Sequence, residues 1–265
     1  MGHPMTQPKA ENRRYGTVTL LPERRGAARH TPTEQFPPAP ALTLLAAELP
    51  PVEEHLARRL LNVIVAVIGV LLAAPIMTVV AILVKLTSKG PVIYTQTRVG
   101  LDKRAPGPDA DNHRRTKDLG GKPFEIYKFR TMTVDAESKS GAVWATPSDP
   151  RLTPIGGFLR KYRIDEFPQL FNVIKGDMNV VGPRPERPQL FENLKESVEH
   201  YQYRQRGKPG ITGLAQVSQS YDSCLDDVRR KVQYDLEYLR RRSLAQDIKI
   251  MVKTVPVVLF RKGGW

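Results

Sequence analysis

One uncharged run constrains this chain more than any other stretch. From Leu60 to Leu86 the sequence reads LLNVIVAVIGVLLAAPIMTVVAILVKL, with no charge between Arg59 and Lys85. A run this long and apolar is enough for one helix to cross about 30 Å of hydrocarbon. Two features oppose a plain crossing. Pro75, in the middle, removes a backbone N–H and crowds the preceding turn, which predicts a bend. Both flanks are also basic, with Arg58 and Arg59 before and Lys85 and Lys89 after, so neither side favours translocation. The expectation is a segment that enters one leaflet, breaks at Pro75 and leaves on the same face. Each arm, at about 1.5 Å per residue, is then too short to cross. A kinked helix that does cross is the alternative, since membrane spans tolerate proline.

A second stretch concentrates the chemistry. Phe158 to Pro188 reads FLRKYRIDEFPQLFNVIKGDMNVVGPRPERP. Asp165 and Glu166 follow three cations, Arg160, Lys161 and Arg163, and precede apolar residues at helical spacing (Phe167, Leu170, Phe171, Ile174). Asp165 stands where an N-cap belongs, Pro168 suits a first turn, and Gly176 suits the residue past the end. Read in isolation, this is a capped helix. The cations beside its N-terminus, however, also make it an anion site. Downstream, Pro183 and Pro185 stiffen the backbone around Arg184, which favours directional phosphate binding. A carboxylate beside a phosphate site can act as a nucleophile and form an acyl phosphate, given a divalent cation to shield the phosphate oxygens.

With KFRTM at 128–132 and PGITGLAQV at 209–217, this stretch resembles the bacterial monotopic polyprenyl-phosphate phosphoglycosyl transferases, of the exopolysaccharide-priming type. The resemblance runs from about Arg58 to the C-terminus. It implies transfer of a hexose 1-phosphate from a UDP-sugar to polyprenyl (undecaprenyl) phosphate, with release of UMP, through a covalent aspartyl-phosphosugar intermediate that starts surface-glycan assembly. It also implies Asp165 as nucleophile and Mg2+ ligand, and Glu166 as a positioning group or base. Lys128, Arg130, Arg160 and the Pro183–Arg184–Pro185 turn become substrate contacts. The same resemblance implies the re-entrant hairpin and places the chain on the cytoplasmic face of the bacterial inner membrane. One departure stands out: Ala74 occupies a position that is often serine in the family, and Thr78 is a substitute able to bond a carbonyl one turn earlier.

The remaining sequence sets the frame. A net charge of +14 and a pI near 10 call for an anionic partner: nucleic acid, anionic lipid or a phosphorylated substrate. No nucleic-acid-binding motif accompanies the charge, so a nucleic-acid partner is not expected. The single cysteine, Cys224, forms no internal disulfide, and no Cys/His cluster suggests zinc. Residues 1–55 read as a disordered basic extension, 56–89 as the membrane hairpin, 90–245 as the catalytic domain and 246–265 as an interfacial segment ending at Trp265.

Val92–Val99 and Phe124–Phe129 predict a strand pair joined by a long polar insertion, 101–121. Trp144 is a candidate cover for the site, and Gln216 a candidate reader of a sugar or base edge. Amphipathic helices are predicted over 190–203 and 222–242. The expected fold is mainly α with a small β-hairpin, an α+β monotopic membrane protein, and a homodimer through the hairpin is compatible with it. Two rival functions stay open: a membrane-attached nucleotide-sugar hydrolase and a non-enzymatic basic membrane or nucleic-acid module.

Overall fold

The computed structural model describes residues 54–103, 120–136, 149–219 and 224–259, together with Ala46, Leu49 and Pro50. The expectations for residues 104–119 of the insertion, for Trp144, for Trp265 and for nearly all of the N-terminal extension lie outside these residues.

The apolar run forms α1, Leu56–Thr87, a helix of 32 residues. It continues through Pro75 and does not separate into the two helices expected from the sequence. Proline forfeits a single N–H, and Thr78 Oγ1 donates to Ala74 O at 2.9 Å, so the turn at the proline keeps a local bond. A stripe of Asn62, Ala66, Ala73, Val80 and Val84 is buried against the rest of the protein, while Leu71, Leu72, Ile76 and Leu86 on other faces are exposed. In water such a surface would be costly, and its natural surrounding is hydrocarbon.

Both ends of α1 are fastened to the same folded unit. At the start, Asn62 Oδ1 accepts from Val180 N at 2.6 Å. Arg59 donates to Val173 O at 2.6 Å and Ile174 O at 2.7 Å, satisfying carbonyls at the end of α3 (Gln169–Lys175). Arg58, only 8% exposed, pairs with Asp247 at 2.6 Å. At the other end, the Arg130 guanidinium bonds Ser88 O at 2.8 Å and also the carbonyl of Lys89. The arginines that the sequence presents as flanking charges are thus used at the α1 start as fasteners, Arg58 buried and Arg59 partly so.

Next come β1 (Ile93–Val99) and β2 (Pro123–Phe129), the strand pair that the sequence predicts, antiparallel and in the register Ile93↔Phe129 to Val99↔Pro123. After α2 (Gly156–Lys161), a 3-10 turn at Ile164–Glu166 and α3, a three-residue strand β3 (Asn179–Val181) pairs in parallel with β4 (Gly210–Thr212). Gly182 and Gly210 make that crossing possible. A Cβ on Gly210 would stand 2.1 Å from Gly182 N, and one on Gly182 would stand 2.3 Å from Lys208 O.

Between the strands lie α4 (Pro188–Ser197) and a 3-10 segment, Tyr201–Arg206, where the sequence suggests one longer helix. The break falls at His200, whose φ of 61° is left-handed. The short α5 (Leu214–Ser218) then leads to α6 (Leu225–Arg241) and α7 (Leu244–Leu259). Val99, Ile126, Val173, Phe191, Leu236 and Ile250 belong to the central apolar cluster, to which β1, β2, α3, α4, α6 and α7 all contribute. On α7, Leu244, Ile248, Val252 and Val255 form an exposed apolar stripe at helical spacing, the surface expected of an interfacial segment.

Candidate active site

The chain turns sharply to build the site. After α2, Arg163 adopts the left-handed conformation (φ 58°, ψ 16°), which non-glycine residues rarely do. The reversal lets Ile164–Glu166 close a 3-10 turn that buries both carboxylates, leaving Asp165 6% and Glu166 8% exposed. Asp165 therefore lies inside this turn and is not the N-cap of α3. That position falls to Pro168, which has no capping side chain, while Gly176 ends the helix at φ 97° as expected.

Glu166 collects the cations. Its Oε1 lies 2.9 Å from Lys128 Nζ and 2.5 Å from Arg184 Nη2, and Arg184 Nη1 reaches Oε2 at 3.3 Å, a two-pronged contact. Arg163 approaches to 3.8 Å. Burial alone would raise the Glu166 pKa, but Arg184, Lys128 and Arg163 outweigh it and hold the group well below the usual carboxylate range. Burial lowers the pKa of Lys128, with Glu166 opposing.

Asp165 behaves oppositely. Burial pushes its pKa up to about 6, with Lys128 opposing and the neighbouring Glu166 carboxylate adding to the rise. Its Oδ1 is buried and has no hydrogen-bond partner. The two adjacent carboxyls are thus driven apart in acidity: Glu166 is held ionised, and Asp165 is able to change state near neutrality.

The unfolded-state pKa of Asp165 is 3.8, so the folded protein binds this proton more tightly. That stabilising contribution is complete below about pH 4 and fades as pH rises through about 6. A 13C-carboxyl titration is expected to show an Asp165 midpoint near 6. A midpoint at the ordinary aspartate value would refute this description of the site.

Other residues singled out in the sequence divide by location. Lys128, on β2, and Arg184 meet at Glu166. Arg160 lies near enough to lower the Asp165 pKa, and its Nε donates to Thr131 Oγ1 at 3.0 Å. Pro183 and Pro185 flank Arg184 in a cleft also lined by Gly100, Gln205 and Pro209. Arg130 goes elsewhere: 3% exposed, it bonds the carbonyls of Ser88 and Lys89 just past the end of α1 and clasps that helix. Both side-chain polar atoms of Gln216 are buried without a partner.

Sequence reading passed over Arg98, which lies beside Arg184 and Glu186, and the charged residues of α6. Asp227, Lys231 and Asp235 are all buried, and Lys231 pairs with Glu186 of the turn at 2.8 Å. Their spacing of four, adjoining the apolar stripe of Val228, Val232 and Leu236, was the available signal.

As to metal, no group of three or more His, Cys, Asp or Glu side chains suited to a cation occurs among the described residues. A buried carboxylate oxygen without a partner does suit Mg2+, which is commonly held by one or two carboxylates together with substrate phosphates.

Residues 53–261 match the family model described as bacterial sugar transferase. The chain is 39% identical over 207 residues to the UDP-N-acetylgalactosamine-undecaprenyl-phosphate N-acetylgalactosaminephosphotransferase of Aeromonas hydrophila, covering 78% of this chain and 44% of that protein. It is 37% identical over 228 residues to the UDP-glucose:undecaprenyl-phosphate glucose-1-phosphate transferase of Escherichia coli (strain K12), covering 85% and 45%. The enzyme of the same name from Caulobacter vibrioides is 35% identical over 237 residues, covering 88% and 82%. The chain thus spans less than half the length of the first two relatives and most of the third. That family match runs from before the start of α1 to past the end of α7, well over half of the chain, and the chain belongs to the bacterial sugar transferase family.

Proposed function

We propose that this chain is a phosphoglycosyl transferase that moves a hexose 1-phosphate from a UDP-sugar to polyprenyl phosphate, releasing UMP, at the cytoplasmic face of the bacterial inner membrane. The observation that carries this reading is the buried, unpartnered oxygen of Asp165 beside a carboxylate that holds three cations. An Asp165 oxygen attacks the β-phosphorus. The bond from that phosphorus to the bridging oxygen breaks, and UMP leaves with the electron pair. The lipid phosphate then attacks the same phosphorus and displaces the carboxylate, giving a polyprenyl diphosphate sugar, the start of an exopolysaccharide or other surface glycan.

Glu166 remains ionised throughout and keeps Lys128 and Arg184 aligned for diphosphate oxygens. Arg160 supplies positive charge beside the nucleophile. Mg2+, when bound by Asp165 and the substrate phosphates, would shield the phosphate oxygens from the attacking carboxylate.

The geometry of α1 supports this membrane placement. A 32-residue helix crossing a bilayer delivers its ends to opposite faces. Here Arg58, Arg59 and Asn62 at one end and Ser88 and Lys89 at the other bond the same unit. That supports a helix whose two ends stay on one face of the membrane, with the α7 stripe lying on the same leaflet and the site at headgroup height. Single cysteines placed at Glu54 and Lys89 are expected to react with a membrane-impermeant maleimide from the cytoplasmic side alone. Labelling from opposite sides would end the re-entrant reading.

Intact mass spectrometry after incubation with UDP-hexoses and Mg2+ tests the chemistry. The expected result is a hexose-phosphate adduct on Asp165 that polyprenyl phosphate discharges. Release of UMP at an equal rate without the lipid acceptor would instead indicate a hydrolase. The donor is read from the adduct mass, since the relatives' names specify glucose in two cases and N-acetylgalactosamine in another.

A further inference from the structure

Four consecutive carbonyls, from Pro183 to Glu186, each accept a hydrogen bond from a different donor. Pro183 O takes Gly210 N at 3.0 Å and Glu186 O takes Val99 N at 2.9 Å. Arg184 O takes Arg204 Nη2 at 2.9 Å, and Pro185 O takes Arg98 Nη1 at 3.1 Å. Proline fixes φ at 183 and 185 but leaves ψ free, and ψ decides where each carbonyl points. Tying down the carbonyls therefore completes what the prolines begin.

Arg204 is an expensive way to supply one such bond. It is 1% exposed, and burying a guanidinium requires a close counter-charge and partners for its N–H groups. Here all three nitrogens are engaged: Nε with Asp235 at 2.6 Å, Nη1 with the Tyr201 hydroxyl at 2.7 Å and Nη2 with Arg184 O. Asp235 is itself 1% exposed. A surface turn with no precision requirement has no need of a buried ion pair beneath it, whereas one that aims the Arg184 side chain at Glu166 2.5 Å away does.

We propose that Arg204, oriented by Asp235, is a positioning residue of the transfer reaction: it fixes the backbone of Arg184 so that this guanidinium meets Glu166 and the donor phosphates. This rests on the function proposed above. Lysine at position 204 keeps the charge but has one nitrogen, which cannot face Asp235, Tyr201 and the Arg184 carbonyl together.

The test compares full-length protein carrying Arg204→Lys, Arg184→Ala or both, with Asp235→Asn as a milder second disturbance of the same pair. In the wild-type background Arg204→Lys is expected to lower kcat/KM for sugar-phosphate transfer about 10- to 100-fold. In the Arg184→Ala background the same change should add no more than about twofold, because its route of action is gone. Multiplying effects would overturn the proposal, since a general loss of fold integrity acts whatever stands at 184.

Hydrogen exchange gives a reading that needs no turnover. The Val99 and Gly210 amides, bonded to the turn, should exchange at least about tenfold faster in Arg204→Lys or Asp235→Asn, while the other β1–β2 ladder amides are unchanged. Unaltered exchange at both amides in both variants would also overturn it. A wild-type chain that transfers nothing would defeat the functional reading, and the exchange data would still decide this one.

Discussion

Replacing Asp165 with asparagine is expected to reduce sugar-phosphate transfer by about 10^4-fold or more while leaving the fold intact. A carboxamide has nearly the same shape but lacks the anionic oxygen that bonds phosphorus, and loss of a covalent nucleophile typically costs this much or more. The fold should tolerate the change well, because Asp165 is held by burial among cations and not by a hydrogen bond to Oδ1. Asparagine also removes a buried group whose ionisation is unfavourable in the folded state. Turnover with a UDP-hexose and polyprenyl phosphate measures the effect, and mass spectrometry should show no adduct. Transfer within tenfold of the wild-type rate would mean that Asp165 is not the nucleophile.

The second large effect is on stability. Asp247→Ala removes the counter-charge of Arg58, which lies 2.6 Å away with Asp247 only 1% exposed. Leaving a buried guanidinium unpaired costs about 3–5 kcal/mol, whereas replacing both members with apolar residues of similar size is often close to neutral. Thermal unfolding in detergent should therefore show a fall of about 10 °C for Asp247→Ala and recovery of most of it in the Arg58→Met, Asp247→Leu double variant. Equal losses in the two proteins would show that the pair contributes more than charge compensation. Tyr238 raises the stakes at this joint. Its hydroxyl lies 2.7 Å from Asp247 Oδ1 and 3.0 Å from Val181 O, with Arg58 donating to it. One hydroxyl proton serves a single acceptor at a time, so losing Asp247 turns it toward Val181.

How much of this was legible in the sequence follows from what each residue interacts with. The hairpin strands and the end of α3 were readable because their signals are local: β-branched and aromatic content in one case, a glycine able to take positive φ in the other. The long apolar helix declared itself by composition. Asp165 and Glu166 were readable as a candidate site because cations and prolines surround them in sequence, but the helix cap expected at Asp165 is displaced by a 3-10 turn that depends on Arg163 taking a left-handed conformation. Arg130 stands two positions from Lys128 on the same stretch of chain, yet it turns to the end of α1. Only the packing of that helix, distant in sequence, decides this.

The same holds for Arg98, Arg204, Asp235 and Lys231. Each looks like an ordinary surface charge until residues roughly 30 to 90 positions away are brought against it. Long-range pairing of charges leaves little trace in a single sequence, whereas periodicity and capping leave a clear one.

The crossing of Gly182 and Gly210 bears on how substitution data from this family should be interpreted. Hydrogen is the only side chain that the space there admits, since the facing atoms are backbone and cannot rotate away. A saturation scan would consequently report both positions as intolerant and, from inactivity alone, place them among the substrate contacts. Their requirement is one of width: they set how near two stretches of main chain lie. Abundance measured beside activity separates the two classes, because a residue that only spaces the chain takes the protein level down with it.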